Sequence, residues 1–390
     1  MRKNESVSLL IVLDSGTPST RRTKIRTRLE AFGVQVRHVE GDGRSYLEVR
    51  GDDLPVRTLS ISSWDGVAAV VPLSPGAPHA SWGGGKGEAL APTVVRVGSE
   101  PATAFDIGAG HFALIAGPCA IESLEQARAV AEIVRDAGAV GFRGGAYKPR
   151  TSPYAFQGLE SEGLAALVEI RRHTGLPIVT EVLDPRHIES LAAQVDLLQV
   201  GSRNMQNYAL LKELGQLRCP VLLKRGFAAT VEEWLLAAEY ILSGGNDQVV
   251  LCERGIRSGA ASCGTVLDLG AIAEVRRRSH LPILVDPSHS AVHRHRVAPL
   301  ARAAVAAGAD GLLIEVHRNP EEALSDGRQA LEPAEFRALV PQIEALRALI
   351  DPTAAALGES VDTASNTDSE SDREEPEFGR RDPDRVVPGP

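Results

Sequence analysis

The sequence predicts an α/β fold: a (β/α)8 TIM barrel with a small N-terminal ferredoxin-like α+β domain and a disordered C-terminal tail. Short apolar β-rich runs alternate with helical stretches, and the charged residues collect where those runs end, which together predict the barrel. Changes in composition predict the flanking parts. We therefore divide the chain into a ferredoxin-like domain (1–71), a flexible linker (72–103), the (β/α)8 barrel (104–357) and an acidic tail (358–390).

The bulk composition is that of a globular protein, with 43% hydrophobic and 24% charged residues in 390. The formal net charge is −9, but residues 359–390 hold ten acidic and four basic residues, so the rest is close to neutral. This balance argues against a nucleic-acid partner. No apolar run approaches the roughly 20 residues of a membrane span, and no signal-peptide core is present. With only four cysteines, we expect a cytoplasmic protein without disulfides.

The regions outside the barrel have distinct patterns. Residues 8–71 follow the order strand, helix, strand, strand, helix, strand, which predicts a ferredoxin-like module whose second helix is weakly marked. Residues 72–103 are rich in Pro, Gly, Ala and Ser, a linker composition. The tail has too few apolar residues to offset the entropy of ordering, so we expect it to be disordered.

Eight apolar runs predict the barrel strands: FALIAGPC, AVGFRGG, PIVTEVL, DLLQVGS, PVLLKRG, QVVLCERG, PILVDPSHS and GLLIEVH. They are apolar throughout, as parallel strands covered on both faces are. Helix starts are marked by capping-box spacing at Ser123 with Gln126 and at Thr230 with Glu233. The competing fold, an open doubly wound sheet, lacks support because no Gly-x-Gly-x-x-Gly segment is present.

Cations gather at the ends of the predicted strands, whereas the strand starts are plain. In a parallel barrel those ends form one rim, where binding sites are built. Such cations would repel one another unless anions fill the site, and phosphates and carboxylates are the natural occupants. We expect two polyanionic ligands, or one charged at both ends. The cations are Arg143, Lys148, Arg150, Arg203, Lys224 and Arg254.

A second rim group combines a thiol, an imidazole and two carboxylates: Cys119, His289, Glu315 and Asp326. They fall on or beside the first, seventh and eighth strands, which are neighbours in a closed barrel. This donor mixture suits Mn, Fe, Co or Zn without selecting among them. Two other interpretations stay open: a cysteine nucleophile, and a small buried Cys119 with no role in chemistry.

Seven segments in this order resemble those of 3-deoxy-D-arabino-heptulosonate 7-phosphate (DAHP) synthases: GPCAIES, GAYKPRTSPYAFQGL, GSRNMQN, LLKRGF, LCERGIR, LVDPSHS and the pair IEVH…ALSDG. The resemblance is to the type I branch that carries an N-terminal ferredoxin-like regulatory domain. It covers residues 105–350, and residues 8–71 in domain pattern. It implies a metal-dependent transferase that joins phosphoenolpyruvate to erythrose 4-phosphate, the first step of the shikimate pathway towards the aromatic amino acids.

The resemblance also implies residue roles. Phosphoenolpyruvate would be bound by Arg143, Lys148, Arg203, Lys224 and Arg254, and the aldose phosphate by Arg150 and Thr151. His289 would also contact substrate. The metal ligands would be Cys119, His289, Glu315 and Asp326, with Mn2+ favoured and Fe2+, Co2+ or Zn2+ as alternatives. Lys148, Cys119 and His289 would be the catalytic residues, with Lys148 able to deliver a proton. The family further implies a dimer or tetramer. For the N-terminal domain it implies an aromatic amino acid effector, and a mere packing element is the alternative.

The sequence departs from the family pattern in two rim segments. After Arg257 it continues SGAASCGTVLD, which lacks an Arg and an Asn that the family usually carries. After DPSHS it continues AVHRHR, where the family commonly has two Gly. Three alternatives therefore stay open: a specialised enzyme for a modified aldose phosphate, a 3-deoxy-D-manno-octulosonate 8-phosphate synthase, and a catalytically silent amino-acid-sensing partner. The Pro-Arg-Thr sequence at 149–151 favours the four-carbon sugar.

Overall fold

The computed structural model describes residues 7–41, 44–51, 54–72, 77–82, 91–259 and 265–350. The expected tail, and residues 260–264 of the unusual loop after Arg257, lie outside these residues. In the described part of the chain no helix is both long and apolar enough to cross a bilayer.

The N-terminal domain is a four-stranded antiparallel sheet of order β2-β3-β1-β4. That order confirms the ferredoxin-like prediction. Alternate residues of the central strands, such as Leu9 with Ile11 and Leu47 with Val49, are buried in its core. The weakly marked second helix is a single turn. The elements are β1 (Val7–Leu13), α1 (Ser19–Glu30), β2 (Gln35–Gly41), β3 (Arg44–Arg50), α2 (Leu54–Arg57) and β4 (Val67–Pro72).

A short hairpin inside and just after the expected linker packs on the barrel. It pairs β5 (Val95–Val97) with β6 (Phe105–Ile107) in antiparallel fashion. Val95, Val97 and Ile107 share one buried cluster with the barrel interior, so the hairpin closes the end where the strands start. The expectation of a flexible linker over 72–103 is therefore wrong for this part, because apolar residues at alternate positions give the segment a face to bury.

Eight parallel strands form a closed barrel, as predicted, in the order β10-β11-β12-β13-β14-β7-β8-β9. Every residue of these strands is buried, which explains the uniformly apolar runs. The strands are β7 (Ala113–Gly117), β8 (Gly141–Arg143), β9 (Ile178–Glu181), β10 (Leu197–Val200), β11 (Val221–Lys224), β12 (Val249–Glu253), β13 (Ile283–Val285) and β14 (Gly311–Glu315).

Helices cover the outside of the barrel, and their starts follow the sequence signals. Thr230 and Glu233 form a complete capping box on α7, and Ser123 accepts a hydrogen bond from the backbone of Gln126. Gly175 ends α4 in the left-handed conformation that favours glycine. The helices are α3 (Leu124–Asp136), α4 (Glu160–Thr174), α5 (Ile188–Ala192), α6 (Tyr208–Gly215), α7 (Val231–Leu242), α8 (Leu269–Arg278), α9 (Pro287–Ala291), α10 (Val297–Ala306) and α11 (Pro333–Ile350).

Candidate active site

The residues expected to form the site all lie at the C-terminal rim of the barrel, opposite the β5–β6 hairpin. Arg143, Lys224 and Glu315 are the last residues of β8, β11 and β14, and the others lie in the segments that follow strands, His289 in the short helix α9. Gly117 at the end of β7 allows the close approach, since a Cβ there would lie 2.0 Å from the carbonyl oxygen of Arg143. A larger residue would push Cys119 away from the neighbouring strand.

The thiol, imidazole and two carboxylates expected to bind metal do converge. One potential ligand atom from each of Cys119, His289, Glu315 and Asp326 lies within 4.8 Å of all the others. Sγ of Cys119 lies 3.0 Å from Oδ2 of Asp326, and Nε2 of His289 lies 3.4 Å from Oε1 of Glu315. One soft, one borderline and two hard donors at this spacing fit a single transition-metal ion.

The surroundings of Cys119 argue against a cysteine nucleophile. Burial, and then the negative charge of Glu315, raise the pKa of the Cys119 thiol to about 12. A nucleophilic cysteine needs the opposite, a lowered pKa that leaves a thiolate near neutral pH. A metal ion at this position would supply the missing positive charge, so the donor set fits a ligand better than a nucleophile.

Asp286 orients the histidine of this cluster. Its Oδ2 lies 2.7 Å from Nδ1 of His289 and also accepts a hydrogen bond from Nζ of Lys224 at 2.6 Å. The bond to Nδ1 leaves Nε2 of His289 facing the other donors, the arrangement typical of metal-binding histidines. Although burial opposes ionisation, His289 and Lys224 hold the pKa of Asp286 well below its usual value. The sequence analysis gave Asp286 no role.

Two of the rim cations form ion pairs within the protein. The sequence had suggested instead that bound anions would balance the charge of these cations. Nη1 of Arg143 contacts Oε1 of Glu315 at 2.6 Å, and Lys224 pairs with Asp286; all four side chains are at least 96% buried. Such buried pairs offset part of the repulsion expected among the cations. The reason for the difference is tertiary: Asp286 follows β13 and Glu315 ends β14, both far from these cations in sequence.

Lys148 lies against the four-donor cluster that is the candidate metal site. Its Nζ donates to both Sγ and the carbonyl oxygen of Cys119, each at 3.1 Å. Glu181 at the end of β9 also acts on Lys148 electrostatically, and the nearby thiol and this carboxylate raise the pKa of Lys148 although burial opposes them. The sequence analysis did not identify Glu181 as a site residue. Its position at the end of an apolar run could have predicted its place at the rim.

The residues expected to bind the aldose phosphate lie at the outer part of the rim. Arg150 donates from Nη1 to Oγ of Ser325, the residue before Asp326, and so reaches the edge of the metal-binding cluster. Thr151 is exposed, and its Oγ1 lies 3.5 Å from Nη2 of Arg203. The segment 148–151 thus reaches from Cys119, which Lys148 contacts, to Arg203, which lies beside Thr151.

Two buried guanidinium atoms at this rim have no hydrogen-bond partner: Nε of Arg143 and Nη1 of Arg254. Arg254 is only 8% exposed. Burial is the main reason why the pKa of Arg254 is lowered. An orphaned donor on a buried cation is costly unless a ligand completes it, and an anion is the partner that a guanidinium group requires.

Comparison with known proteins agrees with this geometry. The model of the DAHP synthetase I family matches residues 95–351. A phospho-2-dehydro-3-deoxyheptonate aldolase of Thermotoga maritima is 41% identical over 340 residues, which cover 87% of this chain and 97% of the relative. A 2-dehydro-3-deoxyphosphooctonate aldolase of Acidithiobacillus ferrooxidans is 35% identical over 245 residues, 58% of this chain and 86% of the relative.

Solved structures give the same result. The crystal structure of the Thermotoga maritima DAHP synthase superposes with a TM-score of 0.78 and 40% identity, covering 88% of this chain and 98% of that one. A truncated form of the same enzyme superposes with a TM-score of 0.61 and 43% identity, covering 67% of this chain and 94% of that one. The chain belongs to the DAHP synthetase I family.

Proposed function

We propose that this protein condenses phosphoenolpyruvate with erythrose 4-phosphate and water to give DAHP and inorganic phosphate. The observation that carries the proposal is the convergence of a four-donor cluster and two incompletely bonded guanidinium groups on one rim. C3 of phosphoenolpyruvate attacks the aldehyde carbon of the sugar, water adds at C2, and the phosphate leaves from C2.

The inner cations bind phosphoenolpyruvate. Arg143 and Lys224 pair with Glu315 and Asp286, and Arg254 offers the free Nη1. Arg203, Lys148 and His289 complete the group, and His289 also belongs to the four-donor cluster. Forked guanidinium donors suit both the carboxylate and the phosphate of this substrate. The cations also hold two mutually repelling anions at reacting distance, a proximity effect.

Arg150 and Thr151 bind the phosphate of the aldose. Arg150 is held by Ser325, so the sugar phosphate would lie at the outer rim and its aldehyde would point towards the cluster. A bound divalent ion, with Mn2+ favoured over Fe2+, Co2+ or Zn2+, would polarise that aldehyde as a Lewis acid. Cys119, His289, Glu315 and Asp326 would hold it. Lys148, protonated and 3.1 Å from the Cys119 sulfur, is placed to deliver a proton to the developing alkoxide.

One assay tests this function against the open alternatives. Metal-stripped protein receives phosphoenolpyruvate with either erythrose 4-phosphate or arabinose 5-phosphate, with and without Mn2+, and phosphate release is followed. We expect release only with the four-carbon sugar and metal. Release with the five-carbon sugar alone would instead assign the octulosonate 8-phosphate reaction. No release with either sugar would favour a modified acceptor or a silent barrel.

The N-terminal domain is proposed to bind an aromatic amino acid that inhibits the barrel. Deletion of residues 1–72 tests this, because the segment from residue 91 onward packs on the barrel and should be kept. We expect tyrosine or phenylalanine to inhibit the full chain and not the truncated one. An identical response of both proteins would assign the domain to packing. A cytoplasmic homo-oligomer, dimer or tetramer, is the form we propose for the enzyme.

A further inference from the structure

Three arginine side chains at the rim surround one aromatic ring, that of Phe227. The guanidinium carbons of Arg203, Arg254 and Arg257 lie 5.5, 4.7 and 4.8 Å from the ring centroid. All three distances are within the range of cation–π attraction. We call Phe227 with these three arginines the arginine–phenylalanine cluster. Arg257 and Phe227 have no place in the roles described so far.

The cluster lacks carboxylates. Within the described residues none of its guanidinium groups forms an ion pair, whereas Arg143, Lys224 and Arg225 at the same end of the barrel all do. Three like charges around one ring repel one another, and besides the ring the described part of the chain gives them one side-chain hydrogen bond, from Arg203 to Thr151. An anion bound among them would relieve that repulsion.

Backbone contacts fix the ring between three successive loops. The N–H of Gly226 donates to Sδ of Met205, in the loop after β10 that carries Arg203. The N–H of Arg257, in the loop after β12, donates to the carbonyl oxygen of Phe227 at 2.7 Å. Phe227 is half-buried and does not belong to the hydrophobic core of the barrel. Its position therefore serves the loops rather than the core.

We infer that Phe227 is a positioning residue for the anion-binding guanidinium groups, and that Arg257 is a further anion-binding residue of the same site. The ligand is a phosphate or carboxylate group, and the inference rests on the proposed function for its identity as phosphoenolpyruvate. The ring attracts Arg203 from the loop after β10 and Arg254 from the loop after β12. Both guanidinium groups are therefore oriented before the ligand binds. Arg257 is exposed and adds a third guanidinium at the outer edge.

The test compares substitutions of Phe227 in the full-length, Mn2+-loaded protein. Phe227→Leu removes the π face and keeps an apolar side chain, whereas Phe227→Tyr keeps the face. Binding of phosphoenolpyruvate alone is measured by calorimetry, and KM for each substrate and kcat are measured by phosphate release. We expect Phe227→Leu to weaken phosphoenolpyruvate binding about 2-fold to 30-fold, the range of a cation–π contact, and to leave KM for the aldose phosphate unchanged. Phe227→Tyr should restore binding.

The opposite end of the barrel supplies a matched control. Arg347 lies 4.4 Å from the ring centroid of Phe112, another half-buried phenylalanine. Phe112→Leu should leave phosphoenolpyruvate binding unchanged. The inference is overturned if Phe227→Leu binds like the wild type, if Phe227→Tyr is as weak as Phe227→Leu, or if Phe112→Leu has the same effect.

Two further measurements keep the test decisive. If Phe227→Leu does not fold, Phe227→Met and the surface substitution Arg257→Gln carry the comparison, and Arg257→Gln should also weaken binding and reduce its dependence on salt. Unchanged binding by both would refute the inference. If the wild type binds phosphoenolpyruvate but turns over neither sugar, the proposed function fails while the calorimetric comparison still decides the role of Phe227.

Discussion

Nζ of Lys148 lies 3.1 Å from Sγ of Cys119, so a cation expected to bind substrate touches a residue expected to bind metal. The two come from different strand ends, the loop after β8 and the loop after β7. Their contact joins the cation group and the metal-binding cluster into one site. In the proposed mechanism, Lys148 would therefore deliver its proton beside the ion that would polarise the aldehyde.

Replacing Lys148 by Met should abolish proton delivery while the four metal-binding side chains remain. We expect kcat to fall by a factor of about 10² to 10⁴, the usual contribution of a general acid. Phosphate release gives kcat, and titration with Mn2+ gives the metal affinity. A variant with kcat within tenfold of the wild type would remove Lys148 from the chemistry.

Cys119→Ser should remove the soft donor of the metal site. In the Co2+-substituted protein we expect the thiolate-to-cobalt charge-transfer absorption to be lost and Mn2+-dependent turnover to fall with it. Cys219→Ser is the control, because Cys219 is half-buried and lies outside the cluster. Retention of the charge-transfer absorption in Cys119→Ser would mean that the thiol is not a ligand.

Asp286→Asn tests the orientation of His289. Loss of the charged partner at Nδ1 should weaken divalent-metal affinity about 10-fold to 100-fold, the usual effect of disturbing the partner of a metal-binding histidine. Asp310→Asn is a matched control, since Asp310 is a carboxylate that pairs with Arg276 at the other end of the barrel. Equal metal affinities of the two variants would contradict this role.

Arg225→Met should destabilise the barrel. Arg225 pairs with Glu253 and Asp268, and the Arg225 and Glu253 side chains are 5% and 0% exposed. Removing the cation leaves a buried carboxylate uncompensated, which costs about 3–5 kcal/mol in the free energy of unfolding. Urea denaturation measures it. The double variant Arg225→Met with Glu253→Leu should recover part of the loss, and a single variant as stable as the wild type would refute the expectation.

Arg150→Ala should act on the acceptor sugar. We expect KM for erythrose 4-phosphate to rise at least tenfold, because a charge-assisted hydrogen bond to phosphate contributes about 1.5–3 kcal/mol. KM for phosphoenolpyruvate should stay within twofold. Initial rates at varied concentrations of each substrate separate the effects. A rise in both KM values would show that Arg150 serves the whole rim rather than one phosphate.

Most of the fold and the members of the site were predictable from the sequence. Uniformly apolar runs, caps such as Thr230 with Glu233, and polar residues at strand ends are local patterns, and their periods follow from backbone geometry. The same rule placed Cys119, His289, Glu315 and Asp326 at one rim. The linker prediction failed at Val95–Val97. These three residues form a short strand with buried and exposed side chains in alternation, and the Pro- and Gly-rich composition of the flanking sequence outweighed that short pattern.

The amino-acid sequence by itself determined the architecture and the chemical inventory: which strands form, which end of the barrel carries charge, and which donor types are present. Only the tertiary structure decided the partners. It set Asp286 against Lys224, Glu315 against Arg143 and Phe227 among three arginines. The physical reason is that hydrophobic periodicity is a local property of the sequence. Hydrogen bonds and ion pairs between distant residues instead depend on distances of a few ångströms, which are set only when the chain folds.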